Sequence, residues 1–255
     1  YVMKDQDQTI TSETIEALLG RQSIRQFSDK PVTEAHIEAI LGAAFRAPTS
    51  SNLQAYSVII VENRETRRII AEVAGNQQHV IDCPVFLAFC ADLTRIEKAF
   101  EMNGHSLDDN NLEMGLVSTV DAALVGMSAY VAAESLGIQG VMIGAARNDP
   151  ERVADALGLP NRAYVVFGMC LGFPEEAPKQ KPRMAYTGMV HRERYDPELA
   201  LSVVEPYDKV LKAHYDSVGK PTTDDSWSYE VARKISNRPR QELREQLKRR
   251  GFDFT

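Results

Sequence analysis

Residues 112–136 read Leu-Glu-Met-Gly-Leu-Val-Ser-Thr-Val-Asp-Ala-Ala-Leu-Val-Gly-Met-Ser-Ala-Tyr-Val-Ala-Ala-Glu-Ser-Leu, and Gly137 follows. The spacing predicts one long helix, apolar on nearly every face and closed by Gly137 just past its end. A helix of that kind must be covered on nearly every face. Its alanines, glycines and serines permit close approach of another helix, and a partner subunit is one source of the cover. Positions 116–133 carry a single charge, Asp121, over eighteen residues. That is near the length that spans a bilayer. Asp121, the interspersed Ser118, Thr119 and Ser128, and the absence of basic flanks favour the central helix of a soluble protein instead.

Outward from this helix, strands and helices intermingle. Strands are expected at 57–62, 85–91, 141–143 and 163–171, where apolar and β-branched residues run without a break. A short helix is expected at 11–19, stopped by Gly20. Another begins after Pro31-Val32 with Thr33 as N-cap, keeps Ile37, Ile40, Leu41 and Ala44 in helical spacing, and is ended by Pro48. Further helices are expected at 64–74, ending at Gly75, and at 150–157 with proline near the first position. Two more lie near 206–217 and 240–250. Residues 95–111 read as a charged, mobile helical excursion, and 174–182 as a proline-rich loop. Regular strand–helix–strand units are few, so the class is α+β.

The chain has 255 residues with a net charge of -7 and a pI near 5.4. Its length allows one large or two small domains, and its acidity argues against general affinity for nucleic acid. Cys83, Cys90 and Cys170 are too few and too apolar in setting for a disulfide framework, and read as buried thiols of a reducing compartment. The polar N-terminus lacks the apolar run of a signal peptide. Tyr1-Val2 ahead of Met3 reads as an added remnant, with Met3 the natural start.

Several chemistries have no motif here. There is no phosphate-binding P-loop, no Gly-x-Gly-x-x-Gly after a strand and no Gly-x-Ser-x-Gly elbow. The five histidines are too scattered to imply a metal site. Three anion-binding signals remain. Arg21-Gln22-Ser23-Ile24-Arg25 sets two guanidinium groups and a hydroxyl after a helix stop, a composition that suits a phosphate or a solvated basic turn. Residues 48–54, Pro-Thr-Ser-Ser-Asn-Leu-Gln, form a loop rich in small donors. In Lys181-Pro182-Arg183 a rigid proline separates two cations.

Taken in order, these segments resemble the nitroreductase family, specifically its longer NADPH nitroreductase and flavin reductase branch. The resemblance rests on Arg-Gln-Ser-Ile-Arg-Gln-Phe at 21–27, Thr-Ser-Ser-Asn-Leu-Gln at 49–54, Gly-Asn-Gln-Gln-His-Val at 75–80 and Phe-Cys-Ala-Asp at 89–92. It continues through Ala-Ala-Glu-Ser-Leu-Gly at 132–137, Val-Met-Ile-Gly-Ala-Ala-Arg-Asn at 141–148 and Phe-Gly-Met-Cys-Leu-Gly-Phe-Pro at 167–174. Lys-Pro-Arg at 181–183 and Trp227 complete it. The resemblance implies an α+β sandwich: a central, mainly antiparallel sheet flanked by helices, in an intertwined homodimer. Residues 1–194 would be the FMN-binding core and 195–255 a C-terminal helical extension.

By the same resemblance Arg21, Gln22, Ser23 and Arg25 would approach the phosphate, ribityl chain and ring edge of FMN. Lys181 and Arg183 would complete the phosphate grip. Thr49, Ser50 and Ser51 would reach the flavin of the partner subunit. Gln77 would bond the pyrimidine edge, and Ile143 and Gly144 would lie along the ring. The physics agrees. FMN brings a phosphate charge of about -1.5 to -2, so an acidic protein needs a local cluster of fixed cations to hold it. Arg25 near the ring would stabilise the negative charge that the flavin gains on reduction. The flavin carries the reacting atom, so no side-chain nucleophile is required. The implied activity is a ping-pong transfer of hydride from NADH or NADPH through FMN to nitroaromatic, quinone or flavin acceptors, in the cytoplasm, with no nucleic acid or membrane partner. A dedicated flavin reductase, a non-catalytic flavin-binding module and an interaction protein without flavin are the alternatives.

The sequence departs from the branch in places. NADPH-using members carry arginines before the Trp-Ser pair; the matching stretch 217–225 keeps one lysine, Lys220, beside Asp224 and Asp225. Aspartates repel a 2′-phosphate and suit a free ribose hydroxyl, so NADH is expected to serve at least as well as NADPH. A shifted register would instead give the clasp to Lys220, Arg233 or Lys234. Arg21 stands where histidine is frequent, and Ala145, where glycine is frequent, is expected to crowd the ring slightly. The run 233–250 holds eight basic and two acidic residues and reads as a solvated helix embracing the dimer rather than a nucleic-acid tail.

Overall fold

A computed structural model describes residues 10–107, 112–220, 226–236 and 240–254. The chain divides into two compact units, one of residues 13–178 with 240–255, the other of 1–12 with 179–239.

The larger unit is built on four antiparallel strands, β1 (Tyr56–Ile60), β2 (Val85–Asp92), β3 (Gln139–Ile143) and β4 (Ala163–Gly172), in the order β1-β2-β4-β3. The two central strands are buried throughout, as their unbroken apolar runs predict. A bulge between Phe89 and Cys90 shifts the β2–β4 register. Leu87 and Phe89 face one core, while Phe86, Ala88 and Cys90 face the other, the alternation that a pleated strand imposes. All three cysteines are free and buried; burial, with Asp92 nearby, pushes the Cys90 thiol up to about 12.

The helices are α1 (Glu13–Gly20), α2 (Glu34–Ala44), α3 (Arg64–Val73), α4 (Gln78–Asp82), α5 (Thr94–Met102), α6 (Leu112–Ser135) and α7 (Pro150–Leu157). Thr33 caps α2 as expected, and His36 returns the bond in a capping box. Asp149 caps α7, and Gly158 leaves it in the left-handed conformation. Some boundaries differ from expectation. Gly20 is the last residue of α1 rather than its stop. α2 ends at Ala44, four residues before Pro48. The first strand pairs from Tyr56 to Ile60. The charged stretch 95–111 forms a helix only to Met102, and residues 108–111 lie outside the described residues.

Among the described residues α6 is the one helix long and apolar enough to cross a membrane. In the fold it lies against β2, β4 and α2. Ser118, Asp121, Ala122, Val125, Gly126, Ala129, Tyr130 and Ala133 are buried. Phe167 presses on Gly126 so closely that a Cβ there would stand 2.4 Å from the ring. The opposite face is a different surface: Leu112, Leu116, Val120 and Leu124, four residues apart, are 44%, 48%, 53% and 39% exposed. The uniform apolarity of the sequence thus divides into one buried face and one open apolar stripe.

The smaller unit holds α8 (Tyr186–Met189), α9 (Pro197–Leu201), α10 (Val204–Ser217) and α11 (Trp227–Ser236). Its centre is Val203, Leu211 and Tyr215. Asp208 ties α11 to α10 by accepting the Ser228 backbone N–H at 2.9 Å and its hydroxyl at 2.6 Å. The chain then rejoins the larger unit through α12 (Leu243–Arg249). Leu247 and Phe252 are buried there, and Arg249 meets Glu151 with two bonds of 2.6 and 2.7 Å. The helices α4, α8, α9 and α11 had no counterpart in the sequence reading.

Candidate functional site

The segment 21–25 has no regular structure, yet it is firmly seated. Ile24 is fully buried and donates its N–H to Gly140 O of β3 at 3.0 Å. Tyr130 of α6 donates its hydroxyl to Gln22 O at 2.7 Å, and the Arg21 guanidinium lies 5.7 Å from that ring. Phe27 bridges to Pro174. Arg21 turns toward Tyr130 and Glu134 of α6, while Ser23 and Arg25 turn to the other side. Ser23, Arg25 and Gln26 line a cleft of about 330 Å³ with Glu176, Ala177 and Pro178.

Two buried polar atoms near this segment have no partner among the described residues, Gln22 Oε1 and His79 Nε2. An unsatisfied buried polar atom costs roughly 1–3 kcal/mol, which a bound water or ligand group would recover. The His79 imidazole is held below its ordinary value by burial and then by the Arg25 cation. The structure thus brings Arg25 together with the segment containing Gln77. Gln77 itself donates from Nε2 to Ala74 O at 2.7 Å, which fixes its amide orientation. His79 carried no signal in the sequence beyond its place in Gly-Asn-Gln-Gln-His-Val.

The loop 49–54 holds three residues with left-handed backbone, Ser51 (φ 46°), Asn52 (φ 57°) and Gln54 (φ 51°). Strain of this kind persists only where the surroundings enforce it. Asp121, fully buried in α6, holds both sides of these residues: its carboxylate accepts the N–H of Ser50 and of Ala55, each at 3.0 Å. Sequence reasoning saw Asp121 only as the lone charge of an apolar helix. Tyr130, which holds the Arg21 segment, lies nine residues further along the same helix, a rise of about 14 Å. The two flavin-binding expectations, 21–25 and 49–51, therefore hang from separate points of one helix.

Ile143, which is buried, ends β3, and Gly144 opens the tight turn Gly144–Asn148. The Arg147 guanidinium stands over Gly144; a Cβ there would be 3.5 Å from Nη2. Arg147 also donates to Val166 O. Arg240 reaches the turn from the chain's last segment, giving Nε to Asn148 Oδ1 at 3.0 Å and Nη2 to Gly144 O at 3.3 Å. Neither arginine was singled out from sequence, since 96 residues separate Arg240 from its glycine.

Lys181 and Arg183 belong to the smaller unit. Lys181 donates to Tyr215 OH at 3.1 Å, and Arg183 donates to Lys181 O and Pro182 O at 3.2 and 3.1 Å. Tyr207 OH also bonds Pro182 O, at 3.0 Å, so the Lys-Pro-Arg turn is fixed within its unit. Lys220 lies 3.9 Å from the Tyr215 ring centre and 3.5 Å from Glu230 Oε1. Asp224 and Asp225 lie outside the described residues.

Comparison with known proteins fits this arrangement. The profile of the nitroreductase family matches residues 18–173, and that of the nitroreductase family C-terminal domain matches 181–255. The chain belongs to the nitroreductase family. It is 37% identical over 246 residues to the oxygen-insensitive NADPH nitroreductase of Salmonella typhimurium, an alignment that covers 94% of this chain and 98% of that protein. The structure of the hypothetical oxidoreductase YcnD from Bacillus subtilis superposes with a TM-score of 0.91 at 32% identity, covering 96% of this chain and 99% of that one. The NADPH:FMN oxidoreductase of Vibrio harveyi, solved in complex with NAD+, gives a TM-score of 0.84 at 34% identity over 95% of this chain and 99% of that one. The α+β class and the antiparallel sheet read from the sequence are those of the family.

Proposed function

We propose that this member of the nitroreductase family is an FMN-dependent oxidoreductase that transfers hydride from NADH or NADPH to nitroaromatic, quinone or free-flavin acceptors by a ping-pong cycle. The single observation that carries the reading is the seated segment 21–25, whose Ser23 and Arg25 line a cleft while the Gln22 side-chain oxygen is buried without a partner among the described residues. The residues fit FMN: Arg21, Ser23 and Arg25 offer charge and donors to its phosphate and ring edge, Gln22 and Gln77 offer amides, and the backbone of Ile143 and Gly144 is assigned to the ring. Lys181 and Arg183 are assigned to the phosphate. FMN, when bound, supplies the two-electron chemistry that no side chain here provides. Arg25, a fixed cation, favours the added negative charge of the reduced cofactor.

A homodimer completes the proposal. The open apolar stripe of α6 supports it, as does the spacing along α6 that sets Thr49, Ser50 and Ser51 apart from 21–25, so that they serve the flavin of the partner. Flavin binding is assigned to residues 1–194, with 195–255 as the extension, and the setting is cytoplasmic, which buried free thiols favour. The test is an absorption spectrum of the purified protein with and without added FMN, followed by stopped-flow reduction with NADH or NADPH before any acceptor is present. Flavin bands that bleach with the donor alone support the reading. A protein that takes up no FMN rejects it, and a requirement for acceptor in the first step rejects the ping-pong order.

A further inference from the structure

Arg147 and Arg240 converge on one short turn. Arg147 is half-buried and spends one N–H on Val166 O. Arg240, also half-buried, spends two on Asn148 and Gly144. A guanidinium has five N–H donors, so most of the donors on both groups remain available. No carboxylate pairs with either arginine among the described residues, although the chain carries more acids than bases. Burial and the neighbouring Arg240 cation both hold Arg147 below the usual arginine value, the direction expected when like charges are crowded without a counter-ion.

Arg240 is also placed with care. Its backbone is left-handed (φ 58°), uncommon for a long side chain. Asn148, its acceptor, is itself fixed by donating to Val73 O at 3.0 Å. The following residues are anchored by Arg249 on Glu151 and by Arg250 on Leu159 O and Pro160 O. A cation so constrained, beside another, in an otherwise acidic protein is a prepared anion seat.

We propose that Arg147 and Arg240 bind an anionic group, a carboxylate or comparable oxyanion, carried by the electron acceptor. This rests on the reading that the Ile143–Gly144 turn borders the flavin, because only then does an anion held there place the rest of its molecule over the reacting ring. Arg240 is a specificity residue for the acceptor. The class of substrate follows: planar acceptors with one acidic substituent are preferred over neutral isosteres.

The experiment compares 4-nitrobenzoate with its methyl ester on wild type, R240Q and R240K, and measures benzoate binding to each protein by calorimetry. Wild type should favour the carboxylate in kcat/KM. R240Q should cut that preference and weaken benzoate by about tenfold, the scale of one charge-assisted contact. R240K should keep part of both. The ratio of the two acceptors cancels any loss common to both, so a displaced turn does not imitate the effect. An unchanged ratio with unchanged benzoate affinity overturns the inference. A slower reduction by NADH or NADPH with an unchanged ratio also overturns it, because the seat then serves the phosphates of the donor. Failure to bind FMN would reject the parent reading instead, and benzoate calorimetry on the flavin-free chain would still report on the two arginines.

Discussion

The carboxylate of Asp121 accepts the backbone N–H of Ser50 at 3.0 Å, across 71 positions of sequence, from inside the long apolar helix α6. A second bond to Ala55 N–H uses its other oxygen. The two bonds pin Ser50 and Ala55, on either side of the left-handed residues Ser51, Asn52 and Gln54.

Asp121→Asn should therefore do more than remove a charge. The amide offers N–H where one backbone N–H needs an acceptor, leaving a buried donor unsatisfied. The expected loss is about 2–4 kcal/mol of unfolding free energy, read by urea denaturation, with weaker FMN binding alongside. An unchanged urea midpoint would show that the loop does not depend on Asp121.

Leu116→Glu should place a charge in the exposed stripe of α6 without disturbing its buried face. Sedimentation should show a dimer for the unaltered chain and a shift toward monomer for the variant, with FMN released as the partner loops depart. A variant that stays dimeric and yellow moves the subunit contact elsewhere.

His79 gives a pH signature. Its value in the folded protein lies below the ordinary 6.5, mainly through burial. The unfolded chain then binds the proton more readily, so stability is full above about 6.5 and is lost as pH falls from there toward the folded value. His79→Gln removes this slope. Urea midpoints measured from pH 7.5 down to 5.5 should fall further for the unaltered chain than for H79Q; parallel curves would contradict the assignment.

Lys220 is engaged by the Tyr215 ring and Glu230 within its own unit, which leaves it poorly placed to clasp a 2′-phosphate. NADH should match or exceed NADPH in kcat/KM, and Lys220→Ala should leave their ratio nearly unchanged. A strong NADPH preference that collapses in K220A would refute this.

Much of the fold is legible in local chemistry. Helix α7 falls at its expected residues because Pro150 and Gly158 mark both ends, and β2 and β4 because their apolar runs leave no other reading. The helices missed are brief or polar: α4 spans five residues, and α11 needs Asp208 of a neighbouring helix to hold its first turn. In the site, Arg21, Ser23 and Arg25 stood out as clustered cations and a hydroxyl. Asp121, Tyr130, His79 and Arg240 did not, because each acts on atoms that only the folded chain brings near, and none belongs to a pattern of spacing.

The larger unit is interrupted in sequence by the smaller one, and residues 240–254 return to seal it with Leu247 and Phe252. During synthesis, the sheet and α6 are finished long before those sealing residues exist. At about 5–20 residues per second, the nascent chain spends several seconds translating 179–239 with Tyr164 still lacking the ring of Phe252, its edge-to-face neighbour at 4.8 Å. Over that interval the core residues that Leu247 and Phe252 cover in the finished protein lack that cover.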